Sequence, residues 1–326
     1  MVSKNYLISV DFGGTKILTA LLDSKHKIIA RLKVATDASR GKMFMVKTLA
    51  GAIQKLLEES KLKETDIKAI CIGIPGSVNP YTGEIGTAPN LGITNFNFRE
   101  AIAKYFSIPV LIENDVNLGA LGVVNFELKG QGKNSMFVFV GTGIGGALFF
   151  DGKIYRGTNN FAGEIGHMIV QPNGPLCGCG KKGCFEALAG RLAIVREIKK
   201  ELKKKPKGVL KQYATGKKPI KSKALALAVK KRDPIALKHI DNACHTIGQT
   251  LANITTLLNL DLIVLGGGVI EAVGKYMLPK IKSSFKEFVM KDSGRNIKII
   301  NTALGDDAAI YGGIALADEF KDMLEK

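Results

Sequence analysis

The segment DFGGTKILTALLD (residues 11–23) follows the apolar run YLISV, and the chain repeats this pattern as GTGIGGALFFDGK (residues 141–153) after MFVFV. Each copy predicts a strand, a turn of glycine and threonine, and a second strand that ends near an aspartate. The repetition of the hairpin indicates two related lobes. Further apolar strands, KAICIGIP, IPVLIE and DLIVL, alternate with helical periodicity and place the chain in the α/β class.

Apolar periodicity also predicts where the helices lie. They span roughly Lys42–Ser60, Asn97–Phe106, Phe185–Lys205, Lys223–Lys231, Pro234–Leu258 and Asp307–Glu325. Glycine, proline and asparagine are dense between residues 75 and 97, which predicts a loop-rich stretch there. Residues 157–184 show neither the periodicity of a helix nor that of a strand, and they are predicted to be irregular.

The composition is that of a globular chain. Of its 326 residues, 46% are hydrophobic and 23% are charged, which excludes a disordered, collagen-like or disulfide-stapled protein. No apolar run approaches the ~20 residues of a membrane span, and the first ten residues lack the features of a signal peptide. We therefore expect a cytoplasmic protein without a membrane partner. The net charge of +18 is concentrated in residues 199–223, and we expect a solvated surface there, with no nucleic acid bound.

The two glycine turns are candidate phosphate sites. Glycine has no Cβ and permits positive φ, so backbone N–H groups can approach an anion closely. Thr15 and Thr142 add hydroxyl groups and Lys16 adds a positive charge. Asp11, at the end of the first strand, can hold the magnesium ion of a nucleotide. One such turn alone is usually a plain hairpin, but two of them together with Gly266–Gly268 at a strand-to-helix junction favour a phosphate cradle.

One motif match is misleading. Residues 141–146 fit the dinucleotide pattern GxGxxG, which requires a helix after the glycines. The following residues, ALFFDGKIY, predict a strand, and this excludes a Rossmann site. The sequence also contains no GxxxxGK[ST], so a P-loop is excluded.

Asp115 is a candidate general base. It follows the strand IPVLIE, and open α/β sheets bind ligands beyond the carboxyl ends of their strands. An aspartate there can accept a proton from a hydroxyl that attacks phosphorus. Asp115 can equally be the N-cap of the following helix. Its neighbour Asn114 can bind a sugar hydroxyl or simply close the turn.

Three cysteines and a histidine form a candidate zinc site. Cys177, Cys179 and Cys184 lie within eight residues, and His167 lies ten residues upstream of the first of them. Three thiolates and one imidazole complete a closed tetrahedral zinc site, so the metal has a structural role. Such a site would fix the irregular segment 157–186.

Two acidic residues flank this cluster. Glu164 and Glu186 taken singly are typical surface carboxylates. If the metal folds the segment against Asp115, they become rigid acceptors for sugar hydroxyls, because charge-assisted hydrogen bonds are strong and directional.

Together these motifs resemble the ROK family of sugar kinases and sugar-responsive repressors. The matching segments are DFGGTK (11–16), ENDVN (113–117), GTGIGG (141–146), GEIGH (163–167), CGCGKKGCFE (177–186), LGGGV (265–269) and LGDDAAIYGGIALA (304–317). The resemblance covers nearly the whole chain, and its most specific part is the cysteine signature followed by Glu186.

The resemblance implies a two-lobed actin/hexokinase-like (ribonuclease H-like) α/β fold with an interlobe cleft. The first lobe would contain residues 1–114, joined by the C-terminal helix at about 305–326. The second lobe would contain residues 115–304, with the zinc segment 157–186. A homodimer is also implied.

The activity implied by the resemblance is ATP- and magnesium-dependent phosphorylation of the 6-hydroxyl of glucose, with Asp115 as general base. The implied sugar-binding residues are Gly76, Asn114, Asp115, Glu164, His167 and Glu186. The implied nucleotide-binding residues are Asp11, Gly13, Gly14, Thr15, Lys16, Gly141, Thr142 and Gly143 for the phosphates, and Gly267 and Gly268 for the adenosine. The implied structural zinc ligands are His167, Cys177, Cys179 and Cys184.

Other functions remain open at this point. The segment GITNFNF lacks a tryptophan found in many glucokinases of the family, and GEIGH lacks one found in some N-acetylglucosamine kinases. Glucose is favoured, with N-acetylglucosamine, N-acetylmannosamine and mannose as alternatives. A sugar-responsive repressor is disfavoured because ten residues before Asp11 leave no room for a helix-turn-helix. An inactive binding protein and an acetate-type kinase of the same superfamily are disfavoured by Asp115 and by the zinc segment, respectively.

Overall fold

The computed structural model describes residues 5–213 and 219–324. The chain forms two compact units: unit 1 is Met1–Gln131, Arg156–Ala162 and Asp306–Lys326, and unit 2 is Gly132–Tyr155 and Gly163–Gly305. The chain therefore passes from one unit to the other four times. Residues 214–218, part of the lysine-rich stretch, lie outside the described residues.

The elements confirm the predicted α/β class. The strands are β1 (Tyr6–Phe12), β2 (Lys16–Leu22), β3 (Ile28–Ala35), β4 (Ile67–Ile74), β5 (Glu84–Ala88), β6 (Ile93–Asn97), β7 (Val110–Asn114), β8 (Ser135–Val140), β9 (Ile144–Phe150), β10 (Lys153–Tyr155), β11 (Leu262–Gly266) and β12 (Lys298–Asn301). The helices are α1 (Lys42–Ser60), α2 (Phe98–Ala103), α3 (Asp115–Gly122), α4 (Phe185–Ala189), α5 (Arg191–Lys204), α6 (Ser222–Lys230), α7 (Pro234–Leu258), α8 (Gly268–Phe288), α9 (Asp307–Glu319) and α10 (Lys321–Leu324).

Each unit contains a five-stranded sheet, and the two sheets have the same topology. In unit 1 the strand order is β3-β2-β1-β4-β7, and in unit 2 it is β10-β9-β8-β11-β12. In each sheet the central strand pairs antiparallel with the second strand of its glycine hairpin and parallel with the strand on its other side. The sequence echo at 11–23 and 141–153 therefore reflects a duplicated architecture, as predicted.

Each sheet is buried by helices. The core of unit 1 joins the apolar side chains of β1, β4 and β7 to those of α1, and the core of unit 2 joins β8 and β11 to α7 and α8. Among the described residues, no helix is both long enough and apolar enough to cross a bilayer.

The division into units differs from the predicted boundary at residue 115. Helix α3, which begins with Asp115, packs in unit 1 against α9. The two helices approach closely at Gly122 and Gly312, because a Cβ on either glycine would overlap the backbone of the opposite helix. A boundary drawn at the end of β7 separates two helices that share one interface.

Two predicted helices are interrupted. The segment predicted as one helix over 185–205 breaks at Gly190, where a Cβ would lie 2.9 Å from the Glu186 carbonyl oxygen and 3.2 Å from the Gly143 Cα. The predicted tail helix breaks at Phe320, and its last residue lies outside the described residues. Periodicity did not predict strands β3, β5, β6 and β12, along which most residues are exposed or only partly buried.

Candidate functional site

The first glycine turn is an exposed hairpin loop between β1 and β2. The Gly13 N–H donates to the Lys16 carbonyl at 2.9 Å and closes the turn. Thr36, just after β3, braces it from the side: its hydroxyl donates to the Gly13 carbonyl at 2.7 Å, and its N–H donates to the Thr15 carbonyl at 3.1 Å. The loop therefore has a fixed shape with Gly14 and Thr15 exposed at its tip.

Three charged side chains gather beside this turn. Lys16 forms an ion pair with Asp306, at the start of α9. Burial raises the pKa of Asp11 to about 6, opposed by the charge of Lys16 and reinforced by that of Asp306. A carboxyl group in this state ionises readily when a cation arrives, which is the behaviour expected of a magnesium-binding residue. Sequence reasoning assigned no role to Asp306, because its proximity to Lys16 depends on the fold.

The second glycine turn connects β8 to β9. The Gly141 N–H donates to the Gly143 carbonyl at 3.0 Å. Strand β9 follows the turn, as predicted, where a dinucleotide-binding GxGxxG motif has a helix. The first residue of α5, Arg191, was not predicted: its guanidinium donates to the Thr142 hydroxyl at 2.8 Å, and its N–H donates to the Gly141 carbonyl at 3.1 Å.

The third glycine segment lies next to the second turn. Gly267 has φ +86° and is the N-cap of α8, and a Cβ there would lie 2.9 Å from the backbone nitrogen of Val140. Only glycine fits this combination of left-handed backbone and close approach. The N-terminus of α8 and the second turn therefore lie at the same end of the unit 2 sheet, and backbone N–H groups at a helix N-terminus can bind a phosphate group.

Asn114, and not Asp115, is the N-cap of α3. The Asn114 side-chain oxygen accepts hydrogen bonds from the N–H groups of Val116 at 2.9 Å and Asn117 at 3.1 Å. Its amide nitrogen donates to the Gly76 carbonyl at 3.0 Å. The interpretation of Asp115 as the cap is therefore wrong, and Asn114 closes the turn.

Asp115 is the first residue of α3 and is half-buried. Its Oδ1 accepts from the Val116 N–H at 2.9 Å. The N-terminus of α3 places partial positive charge near this carboxyl group. Gly76 lies at the same corner, with φ +107° and no room for a Cβ beside Thr87 and Ala88.

Three cysteines and one histidine lie close enough together to hold one metal ion. One ligand atom from each of four residues lies within 4.8 Å of all the others; these residues are His167, Cys177, Cys179 and Cys184. The Cys179 and Cys184 sulfurs are 3.6 Å apart, and Cys177 Sγ lies 3.6 Å from His167 Nδ1. Four donors at zinc-binding distance around a tetrahedron stand about 3.8 Å apart, so these separations fit one shared ion.

Two carboxylates adjoin the cluster. The Nε2 atom of His167 faces Glu164 Oε2 at 3.8 Å while Nδ1 faces the sulfur, the order found in carboxylate–histidine–metal arrangements. Burial raises the pKa of Glu164, with His167 opposing and Glu186 reinforcing the shift. Glu186 Oε1 lies 3.3 Å from Cys177 Sγ, and its Oε2 accepts from the Ile144 N–H at 3.2 Å. Glu186 therefore links the cluster to the second glycine turn.

The predicted site residues thus form local groups. In unit 1, Asn114 contacts Gly76 and adjoins Asp115, and Asp11 lies near Lys16. In unit 2, Glu164, His167 and Glu186 surround the cysteines, and the turn at 141–143 adjoins Gly267.

Comparison with known proteins gives consistent matches along the chain. A family model described as "ROK family" matches residues 7–320. A glucokinase of Halalkalibacterium halodurans is 31% identical, and the match covers 100% of this chain and 98% of that protein. A crystal structure of a ROK family glucokinase from Streptomyces griseus in complex with glucose and AMPPNP superposes with a TM-score of 0.85 at 28% identity, covering 96% of this chain and 99% of that one.

Repressors also match. A xylose repressor of Caldicellulosiruptor bescii is 28% identical, and the match covers 98% of this chain and 79% of the repressor. The chain is therefore similar both to sugar kinases and to sugar-responsive repressors.

Proposed function

The chain belongs to the ROK family, and from this we propose that it is an ATP-dependent hexose kinase that transfers the γ-phosphoryl group of ATP to the 6-hydroxyl of glucose. The observation that carries the proposal is the match, over 96% of the chain, to a glucokinase structure that holds glucose and AMPPNP, an ATP analogue. The glucokinase relative of similar length supports the same activity.

In this proposal Asp115 is the general base. It takes the proton from the sugar 6-hydroxyl as the oxygen attacks the γ-phosphorus, and the phosphoryl group passes directly from ATP to the sugar. Two features of the corner support the role. Asn114 supplies the helix cap, and Asp115 is the first residue of α3, where the helix N-terminus carries partial positive charge.

The sugar is proposed to be held by polar groups that match hydroxyls. The proposed contacts are Gly76, Asn114 and Asp115 in unit 1 and Glu164, His167 and Glu186 in unit 2. The carboxylates accept hydrogen bonds from hydroxyl groups, and such charge-assisted bonds are short and directional. The bonds that Glu186 makes to Ile144 and Cys177 hold its side chain in place for this task.

The nucleotide is proposed to occupy the glycine turns. The phosphates would contact Gly13, Gly14, Thr15, Lys16, Gly141, Thr142 and Gly143, and the adenosine would lie at Gly267 and Gly268. Asp11 and its neighbours fit a magnesium ion, because burial raises the pKa of the Asp11 carboxyl and a cation bound beside it would lower that pKa again. When bound, magnesium neutralises charge that develops on the phosphoryl oxygens.

The cysteine cluster is proposed to hold one structural zinc ion, with His167 as the fourth ligand. Burial raises the pKa of Cys177 to about 12 and also raises that of Cys184, so these thiols ionise only with a cation to compensate their charge. The ion fixes the segment that carries Glu164 and Glu186 and takes no part in phosphoryl transfer. We further propose that the protein is cytoplasmic and forms a homodimer. Light scattering on the purified protein tests the oligomeric state.

The proposal is tested by a coupled ADP-release assay with glucose, mannose, N-acetylglucosamine and N-acetylmannosamine, each scored by kcat/KM with ATP. We expect the highest value for glucose. A clear preference for an N-acetylated sugar would keep the reaction and change the substrate. Absence of ADP release with all four sugars, together with salt-dependent binding of a DNA duplex at nanomolar concentration, would support the repressor instead.

A further inference from the structure

A buried ion pair adjoins the corner that carries Asp115. Glu113, two residues earlier, exposes 1% of its surface, and Arg156 exposes 8%. The Arg156 Nε donates to Glu113 Oε2 at 2.7 Å. Burying two charges costs free energy unless the contact is close and the remaining polar atoms are bonded as well. The other hydrogen bonds of Glu113 and Arg156 indicate the function of this buried pair.

The second oxygen of Glu113 holds the corner on both sides of Asp115. Its Oε1 accepts from the backbone N–H of Asn114 at 2.9 Å and from the side-chain amide of Asn117 at 3.0 Å. These donors lie one residue before and two residues after Asp115. Glu113 thus ties the end of β7 to the first turn of α3.

Arg156 is itself fixed from the opposite side. Its two terminal nitrogens donate to both carboxylate oxygens of Glu319, at 2.6 and 2.8 Å, near the end of α9. The guanidinium also lies 5.7 Å from the centre of the Phe320 ring. Lysine cannot reproduce this fork of donors. Arg156 is the first residue of the segment 156–162, where the chain enters unit 1 from unit 2.

We propose that Arg156 is a positioning residue for phosphoryl transfer: through Glu113 it fixes the backbone that orients Asp115, and so it acts on kcat more than on substrate binding. This inference rests on the proposed function. Displacing a catalytic group by about 1 Å can cost ~10²-fold in rate, so we expect a loss of about 10- to 100-fold.

The test compares Arg156→Met, Arg156→Lys and Glu113→Gln with the matched control Arg295→Met, whose exposed side chain pairs with the nearby Asp292. We expect the first and third variants to lower kcat about 10- to 100-fold while KM for glucose and ATP changes by less than about threefold. Arg156→Lys recovers part of kcat, and Arg295→Met matches the wild type. Hydrogen exchange in peptides covering residues 110–122 rises in Arg156→Met and Glu113→Gln and stays at the wild-type level in Arg295→Met.

Each outcome decides the inference. A folded Arg156→Met with wild-type kcat and unchanged exchange over residues 110–122 overturns it. If that variant does not fold, Glu113→Gln decides, because it removes the charge and keeps the shape: retained kcat and exchange overturn the inference, and their change supports it. A wild-type protein that phosphorylates no sugar refutes the proposed function instead, and the exchange measurement then decides the positioning role alone.

Discussion

Replacing Asn114 tests the corner that carries the proposed base. Asn114→Ala removes the acceptor for the N–H groups of Val116 and Asn117 and the donor to the Gly76 carbonyl. Loss of an N-cap costs ~1 kcal/mol, and leaving a partly buried carbonyl without its donor costs about 1 kcal/mol more. We therefore expect unit 1 to lose about 2 kcal/mol of stability.

Asn114→Asp separates the two contributions. It keeps the oxygen that caps α3 and loses the amide that reaches Gly76, so we expect about half of the loss. A matched control is Asn97→Ala, which removes the cap of α2, where the Asn97 side chain accepts from the Glu100 N–H at 3.0 Å. The control should cost ~1 kcal/mol and leave kcat/KM for glucose unchanged.

The assay is urea unfolding followed by far-UV circular dichroism, together with kcat/KM on the folded variants. The midpoints should fall in the order wild type, Asn97→Ala and Asn114→Asp at similar values, then Asn114→Ala. Only the Asn114 variants should lose activity. An Asn114→Ala protein as stable as the wild type would refute the capping role.

Two further predictions concern the metal cluster and the first turn. Protein purified without added metal should contain one zinc per chain by elemental analysis, and active enzyme without zinc would contradict this. Cys179→Ser should lose the metal, and its KM for the sugar should rise by a larger factor than its kcat falls. Asp11 has a pKa raised from 3.8 to about 6 in the folded state, so the fold binds this proton more tightly and unfolding free energy falls as pH rises from 4 to 6. Asp11→Asn should therefore stabilise the nucleotide-free protein at pH 8, by at most ~3 kcal/mol, with little effect at pH 4. The same variant should have lower kinase activity. Equal stabilisation at both pH values would contradict the raised pKa of Asp11.

Much of the architecture was predictable because local patterns determine it. The two glycine hairpins lie in consecutive sequence, and their repetition predicted the duplicated sheet. Helices α1 and α7 have long, regular apolar periodicity and appear at the predicted bounds. The cysteine spacing likewise predicted which residues meet, since a short loop brings them together.

The remaining features depend on contacts that are distant in sequence. Arg156 lies 43 residues from Glu113 and 163 from Glu319, and a lone arginine in a loop carries no local signal of that role. Asp306 and Arg191 likewise reach the glycine turns only through the fold. At the corner after β7, a shift of one residue decides which side chain caps the helix, and sequence periodicity does not resolve such a shift.

The most direct measurement compares wild type with Asp115→Asn, using ATP and glucose and following glucose 6-phosphate and ADP together. The matched control is Asp151→Asn, at an exposed left-handed position in the β9–β10 turn that asparagine tolerates. The account predicts equal amounts of both products from wild type and control, and a loss of ~10²–10⁴ in kcat for Asp115→Asn with the fold intact. Near-wild-type turnover by folded Asp115→Asn would contradict it.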